Sequence, residues 1–174
     1  MSVTLSSLTN KTKTSTFDKP ATNELKNMSL KHLPLFLEGE VVKGFGRGSK
    51  DLGCPTANYP LEVVQSLPAD LEPGVYYGWA QLDSTVYKMV ANIGWCPFYQ
   101  NKQMSVETHV MHKFDKDFYG SLLKVSLVGY LRGEMNFGSL DELIEQIKND
   151  ICNADNKLDL PQAQIVKENS FFAK

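Results

Sequence analysis

Between Val75 and Leu131 the chain writes one short β-prone segment after another with no helical pattern between them, and this restricts the fold more than any other feature. Val75–Leu82 and Val86–Ile93 are β-branched and aromatic, and only the polar Asp83-Ser84-Thr85 separates them, which reads as a hairpin. Met104 to His112 alternates as a further strand, and Leu123, Val125, Leu127, Gly129 and Leu131 keep a period of two. Strands that follow one another without a helical crossover pair antiparallel. Closing such a sheet into a barrel would remove its exposed edges. The expected class is therefore mainly β, an antiparallel barrel followed by a helix. Ser139 and Glu142 form a capping-box pattern, and Leu140, Leu143, Ile144, Ile147 and Ile151 trace one apolar face along that helix.

At 174 residues the chain fits one domain with a core that needs no staples. Residues 1–33 are rich in Ser, Thr, Lys and Asn and read as a flexible arm, and residues 34–174 read as the folded domain, taken as a monomer. Phe36 to Val42 reads as a first strand, Leu61 to Leu67 as a helical turn stopped by Pro68, and the tail from Leu160, with its Phe171-Phe172 pair, as a last docked segment. Cys54, Cys96 and Cys152 are widely spaced and have no ligand partner at metal spacing, so neither a disulfide framework nor a cysteine zinc site is expected. Reduced thiols suit the cytoplasm. The acid-poor arm leaves mitochondrial or other organelle targeting open, although it carries no Arg and no clear amphipathic face. No apolar run approaches the length of a membrane span. A net charge of −2 argues against a nucleic-acid partner held by a basic surface, which leaves small-molecule partners.

Chemistry concentrates in Val42 to Pro60, VKGFGRGSKDLGCPTANYP. Gly44, Gly46, Gly48 and Gly53 free the backbone, while Arg47 and Lys50 set cations among them, so main-chain N–H groups and side chains can close on one anion such as phosphate. The stretch is no Walker A loop, because Ser49 precedes Lys50 and Asp51 follows it, and no dinucleotide fingerprint, because no helix start follows. Thr56 and Asn58 are two apart, which in extended backbone points both oxygens to one face, a ligand type that suits Mg²⁺. The plain alternative is a long glycine-rich surface loop.

In Ser105 to His112 alternation sets Val106, Thr108 and Val110 on one face and Glu107, His109 and Met111 on the other. If the valine face is the core, Glu107 is a solvated residue; if the barrel is open at one end, it can point into a pocket and act as a base. His109 and His112 are three apart and cannot share a strand face, so a two-histidine metal site is not expected. Tyr76, Trp79, Trp95 and Phe98 read as core aromatics, with the loop members able to stack on a planar heterocycle.

Taken together, GFGRGSKDLGCPTANYP (44–60), GVYYGWA (74–80), ANIGWCPFY (91–99), VETHVMHKFDKDFYG (106–120) and VGYLRGEMNF (128–137) closely resemble the eukaryotic riboflavin kinase family. The resemblance implies a six-stranded antiparallel Greek-key β-barrel with C-terminal helices. It also implies transfer of the γ-phosphoryl group of ATP to riboflavin, giving ADP and FMN with Mg²⁺, or Zn²⁺ in its place. Thr56 and Asn58 look like the metal pair of the PTAN motif, and Glu107 like the catalytic base. Gly44, Lys50, Val110, His112 and Tyr119, with Thr56, look like nucleotide contacts; Arg132, Met135 and Phe137 match the segment that closes over the flavin. Gly133 replaces the proline of the related LRPE run, and Met135 stands where a basic residue is common. The resemblance covers no adenylyltransferase domain, so FAD synthesis is not expected. Two readings from other classes are a flavin-carrying barrel without turnover and an oligonucleotide-binding barrel, which the acidic balance disfavours.

Overall fold

The computed structural model describes residues 31–44, 53–95 and 104–173. The expectations for Lys50 and Arg47, for the loop from Cys96 to Tyr99 and for the arm up to residue 30 lie outside these residues. The described elements are β1 (Leu35–Glu40), β2 (Ala57–Asn58), α1 (Leu61–Gln65), β3 (Gly74–Leu82), β4 (Thr85–Trp95), β5 (Met104–Val110), β6 (Leu122–Arg132), α2 (Leu140–Leu158), α3 (Pro161–Lys167) and a 3₁₀ turn at Ser170–Phe172. Lys31 and His32, which the sequence reading counts with the arm, pair with Asp70 at 3.1 and 2.7 Å. Among the described residues no helix is long and apolar enough to cross a membrane.

The six strands form one sheet in the order β1-β6-β3-β4-β5-β2, every ladder antiparallel. The β3–β4 hairpin turns on Asp83 and Ser84, and Asp83 takes a left-handed φ of 55°, as a tight two-residue turn requires. The sheet curls into a half-barrel around Tyr76, Ala80, Met89, Ile93, Val106, Leu123, Val125 and Leu127. Its two edges, β1 and β2, approach at an isolated bridge, where Val42 N–H donates to the Asn58 carbonyl at 3.0 Å. That bridge brings the glycine-rich segment back across Asn58.

The helices cover the outer face. Trp79 donates its indole N–H to the Ala163 carbonyl at 2.9 Å amid Leu158 and Phe172, and Gln81 donates to the Phe172 carbonyl at 2.8 Å, so the tail is docked. At the start of α2 Ser139 Oγ accepts from Glu142 N–H at 3.2 Å, but the Glu142 carboxylate accepts from Gly138 N–H at 2.9 Å, one residue beyond a reciprocal capping box. The buried stripe of α2 also differs from the expected one. Asp150, Ala154 and Leu158 are buried while Leu140 is 59% exposed, because only the C-terminal half of the helix lies against the sheet.

The expected period of two in β6 breaks before Leu131. Tyr77 pairs with Gly129 and Gly78 with Leu127, and then Tyr76 pairs with Tyr130 and Val75 with Arg132, so Val128 and Leu131 are extra residues at two irregularities. One extra residue reverses which face the following side chains take. Leu131 accordingly packs in the outer cluster with Val75, Val90 and Ala154, away from Leu123, Val125 and Leu127. The second irregularity leaves Arg132 level with Val75 and facing α2.

Candidate active site

One lateral row crosses five strands. Asn58 in β2 lies opposite Glu107 in β5, Glu107 opposite Asn92 in β4, Asn92 opposite Val75 in β3, and Val75 opposite Arg132 in β6. Directly opposed residues share a face. The contacts of Val75 with Ala154 and of Arg132 with Asp150 identify it as the outer one. At about 4.8 Å per strand, the backbone of Glu107 lies about 5 Å from that of Asn58 and about 14 Å from that of Arg132. The valine face of β5 is core, with Val106, Thr108 and Val110 at 1%, 0% and 5% exposure. Glu107, on the opposite face, is neither interior nor plainly solvated. It is partly buried between two amide side chains, with Ser105 Oγ 3.5 Å from its Oε1.

Asn58 is seated by the returning backbone: a Cβ on Gly44 would collide with its Nδ2, so only glycine lets the chain pass this close. Ala57 is buried in the core at 5% exposure, which leaves Thr56 and Asn58 flanking it as neighbouring oxygen donors beside the carboxylate row. Among the described residues no three His, Cys, Asp or Glu side chains converge as a metal cage. A hydroxyl and an amide suit a hard cation that brings most of its own ligands, as Mg²⁺ bound to phosphates does.

Next to this row opens a cavity of about 600 Å³, lined by Thr56, Thr108, Val110, His112, Phe114 and Tyr119 among others. That volume suits a mid-sized organic ligand. Ala57, the inner residue level with Thr108 on β2, lines the cavity and is too small to fill that end of the barrel. The His112 ring lies 4.7 Å from Tyr87 and 4.8 Å from Phe114, forming an aromatic wall that continues to Phe118. Tyr119 is 44% exposed at the rim with the Lys43 ammonium 5.9 Å from its ring. His109 Nδ1 lies 2.9 Å from the Pro55 carbonyl and ties β5 to the strand that carries Thr56 and Asn58. The structure thus gathers Thr56, Val110, His112 and Tyr119 around one cavity, while Asn58 and Glu107 lie outside its lining, next in sequence to Ala57 and Thr108, which belong to it.

The segment leaving β6 forms the far end of the row. Arg132 donates Nε and Nη2 to Asp150 at 3.0 and 2.7 Å and Nη1 to the Gly133 carbonyl at 2.9 Å, and its guanidinium carbon sits 6.0 Å from the Phe137 ring. Gln146 adds a hydrogen bond to Asp150 at 2.9 Å. Met135 is 52% exposed. Sequence reasoning missed Asp150 and Asn92. The available signals were an acid on the buried stripe of a helix and an amide interrupting Met89-Val90-Ala91-Asn92-Ile93.

Residues 31–158 match the family model described as Flavokinase: Riboflavin kinase. The chain is 56% identical over 144 residues to riboflavin kinase of Homo sapiens, covering 82% of this chain and 93% of that one. It is 44% identical over 142 residues to the bifunctional riboflavin kinase/FMN phosphatase of Arabidopsis thaliana, covering 81% of this chain and 38% of that one. The crystal structure of riboflavin kinase from Trypanosoma brucei aligns with a TM-score of 0.64 at 32% identity, covering 80% of this chain and 88% of that chain. With a matching model over most of its length and a relative of this identity, the chain belongs to the riboflavin kinase family.

Proposed function

We propose that the chain phosphorylates riboflavin to FMN with Glu107 as general base, Thr56 and Asn58 as oxygen donors to Mg²⁺, and ATP in the cavity bounded by Val110, His112 and Tyr119. The supporting observation is the direct cross-strand pairing of Asn58 with Glu107, one residue along from the pair Ala57 and Thr108 that lines the cavity. Riboflavin lies along the row with its terminal alcohol at Glu107 and its ring toward Arg132, Met135 and Phe137. The roughly 14 Å between the two ends is long enough for a fused ring carrying a polyol chain. Gly44 contributes by holding Asn58 in place, and Lys50 remains a proposed nucleotide contact from the resemblance alone.

In this reading Glu107 accepts the proton of the primary alcohol as its oxygen bonds to the γ-phosphorus of ATP. The bond between that phosphorus and the bridging oxygen breaks, and ADP leaves. Mg²⁺ would neutralise phosphate charge there, and the oxygen-only donor pair favours it over Zn²⁺. Asn58 and Asn92 stand level with Glu107 on its two neighbouring strands, where their amides would hold the carboxylate in line between donor and acceptor. Replacing Glu107 by Gln is expected to lower the rate of FMN formation from riboflavin and Mg-ATP by about 10²–10⁴-fold while leaving riboflavin affinity nearly unchanged. Near-normal turnover would reject the base.

A further inference from the structure

A second carboxylate lies over the same outer face of the sheet, one row along, and has no part in the chemistry above. Glu134 follows β6, and its Oε1 is packed so closely on the Cα of Gly94 that a Cβ there would collide with it. A Cβ on Gly94 would also lie 3.5 Å from Asn92 Nδ2, so both side chains border the space the glycine leaves. Gly94 is two residues along β4 from Asn92 and opposite Ser105, itself two residues from Glu107. Glu134 therefore reaches from the Arg132–Phe137 segment over β4, toward the strand that carries Glu107. It is exposed, and none of the hydrogen bonds or ion pairs among the described residues engages it.

We propose that Glu134 binds the hydroxyl groups of the substrate's polyol chain, with Gly94 leaving the space its carboxylate occupies. This rests on the reading that riboflavin lies along the row with its terminal alcohol at Glu107. Between the terminal alcohol and the ring the substrate offers only hydroxyls, each an O–H donor, and an ionised carboxylate accepts from neighbouring hydroxyls through both oxygens. Asn92 beside it supplies the complementary amide donor. The glycine is part of the site: the clashing atom is the end of a flexible side chain, so Gly94→Ala moves the carboxylate and leaves the backbone unstrained.

The test is an equilibrium titration of wild type, Glu134→Gln and Gly94→Ala with riboflavin and with lumiflavin, which has the ring but no polyol chain, read by flavin fluorescence. Both variants are expected to bind riboflavin about tenfold more weakly and lumiflavin as the wild type does. Equal weakening for both flavins or no weakening for riboflavin would overturn the proposal. The titration contains no turnover step, so it stays readable if Glu107 is not the base. A wild-type chain that takes up neither flavin removes the row as the substrate's seat, and the proposal with it.

Discussion

Asp150→Ala is the substitution with the largest consequence that the structure allows to be worked out. Asp150 is 6% exposed and accepts from Nε and Nη2 of Arg132 and from Gln146, all within 3.1 Å. Removing one partner of a fully buried ion pair costs about 3–5 kcal/mol, because the other charge is left uncompensated. The Arg132 side chain keeps 20% exposure, so its guanidinium can recover part of its hydration, and the expected loss falls to about 2–3 kcal/mol. In a domain of this size that lowers Tm by about 4–12 °C. Urea unfolding followed by tryptophan fluorescence reads it directly, since the buried Trp79 reports on the helix packing. The pair also holds the start of the 132–137 segment, so riboflavin KM should rise while ATP KM stays put. Replacing both partners, Arg132→Met with Asp150→Leu, should restore most of the stability but not the riboflavin KM. A loss below about 0.5 kcal/mol for Asp150→Ala would refute the argument, because it would mean that the guanidinium was never dependent on this carboxylate.

Two further outcomes follow from buried polar atoms. Thr108 is 0% exposed with no partner for its Oγ1, so Thr108→Val, nearly the same shape without the hydroxyl, should gain about 1 kcal/mol in urea unfolding; a loss of that size would mean the hydroxyl is satisfied. Burial pushes the Cys54 thiol from 9.0 up to about 11. A raised folded-state value gives stability that is complete below pH 9 and lost as pH rises toward 11. Cys54→Ala should therefore flatten the alkaline limb of the stability curve, and at pH 8 iodoacetamide should label the exposed Cys152 well before Cys54; equal labelling rates would contradict the burial argument.

The legible parts of the fold were those where periodicity and burial agree. Alternation in β5 separated Val106, Thr108 and Val110 from Glu107, but could not say which set faced inward, since that depends on the neighbouring strands. In β6 the alternation ran on through Gly129 and Leu131, and nothing local marked Val128 and Leu131 as extra residues, because a bulge is defined by the partner strand. β2, at two residues, is too short for any periodic signal, and the sequence offered there only the spacing of Thr56 and Asn58 in extended backbone, with no strand expected. Asp150 was hidden for another reason: an acid among Ile147, Ile151 and Ala154 looks like a solvated position until Arg132 is known to lie opposite. The same reasoning bears on the site. Asn58, Glu107, Asn92 and Arg132 come from four segments separated by fifteen residues or more, and only strand pairing makes them one row. A one-residue slip of β4 against β5 would turn Asn92 into the core and break that row, so the inner-face packing of Ala91 and Ile93 fixes the geometry of the outer, chemical face.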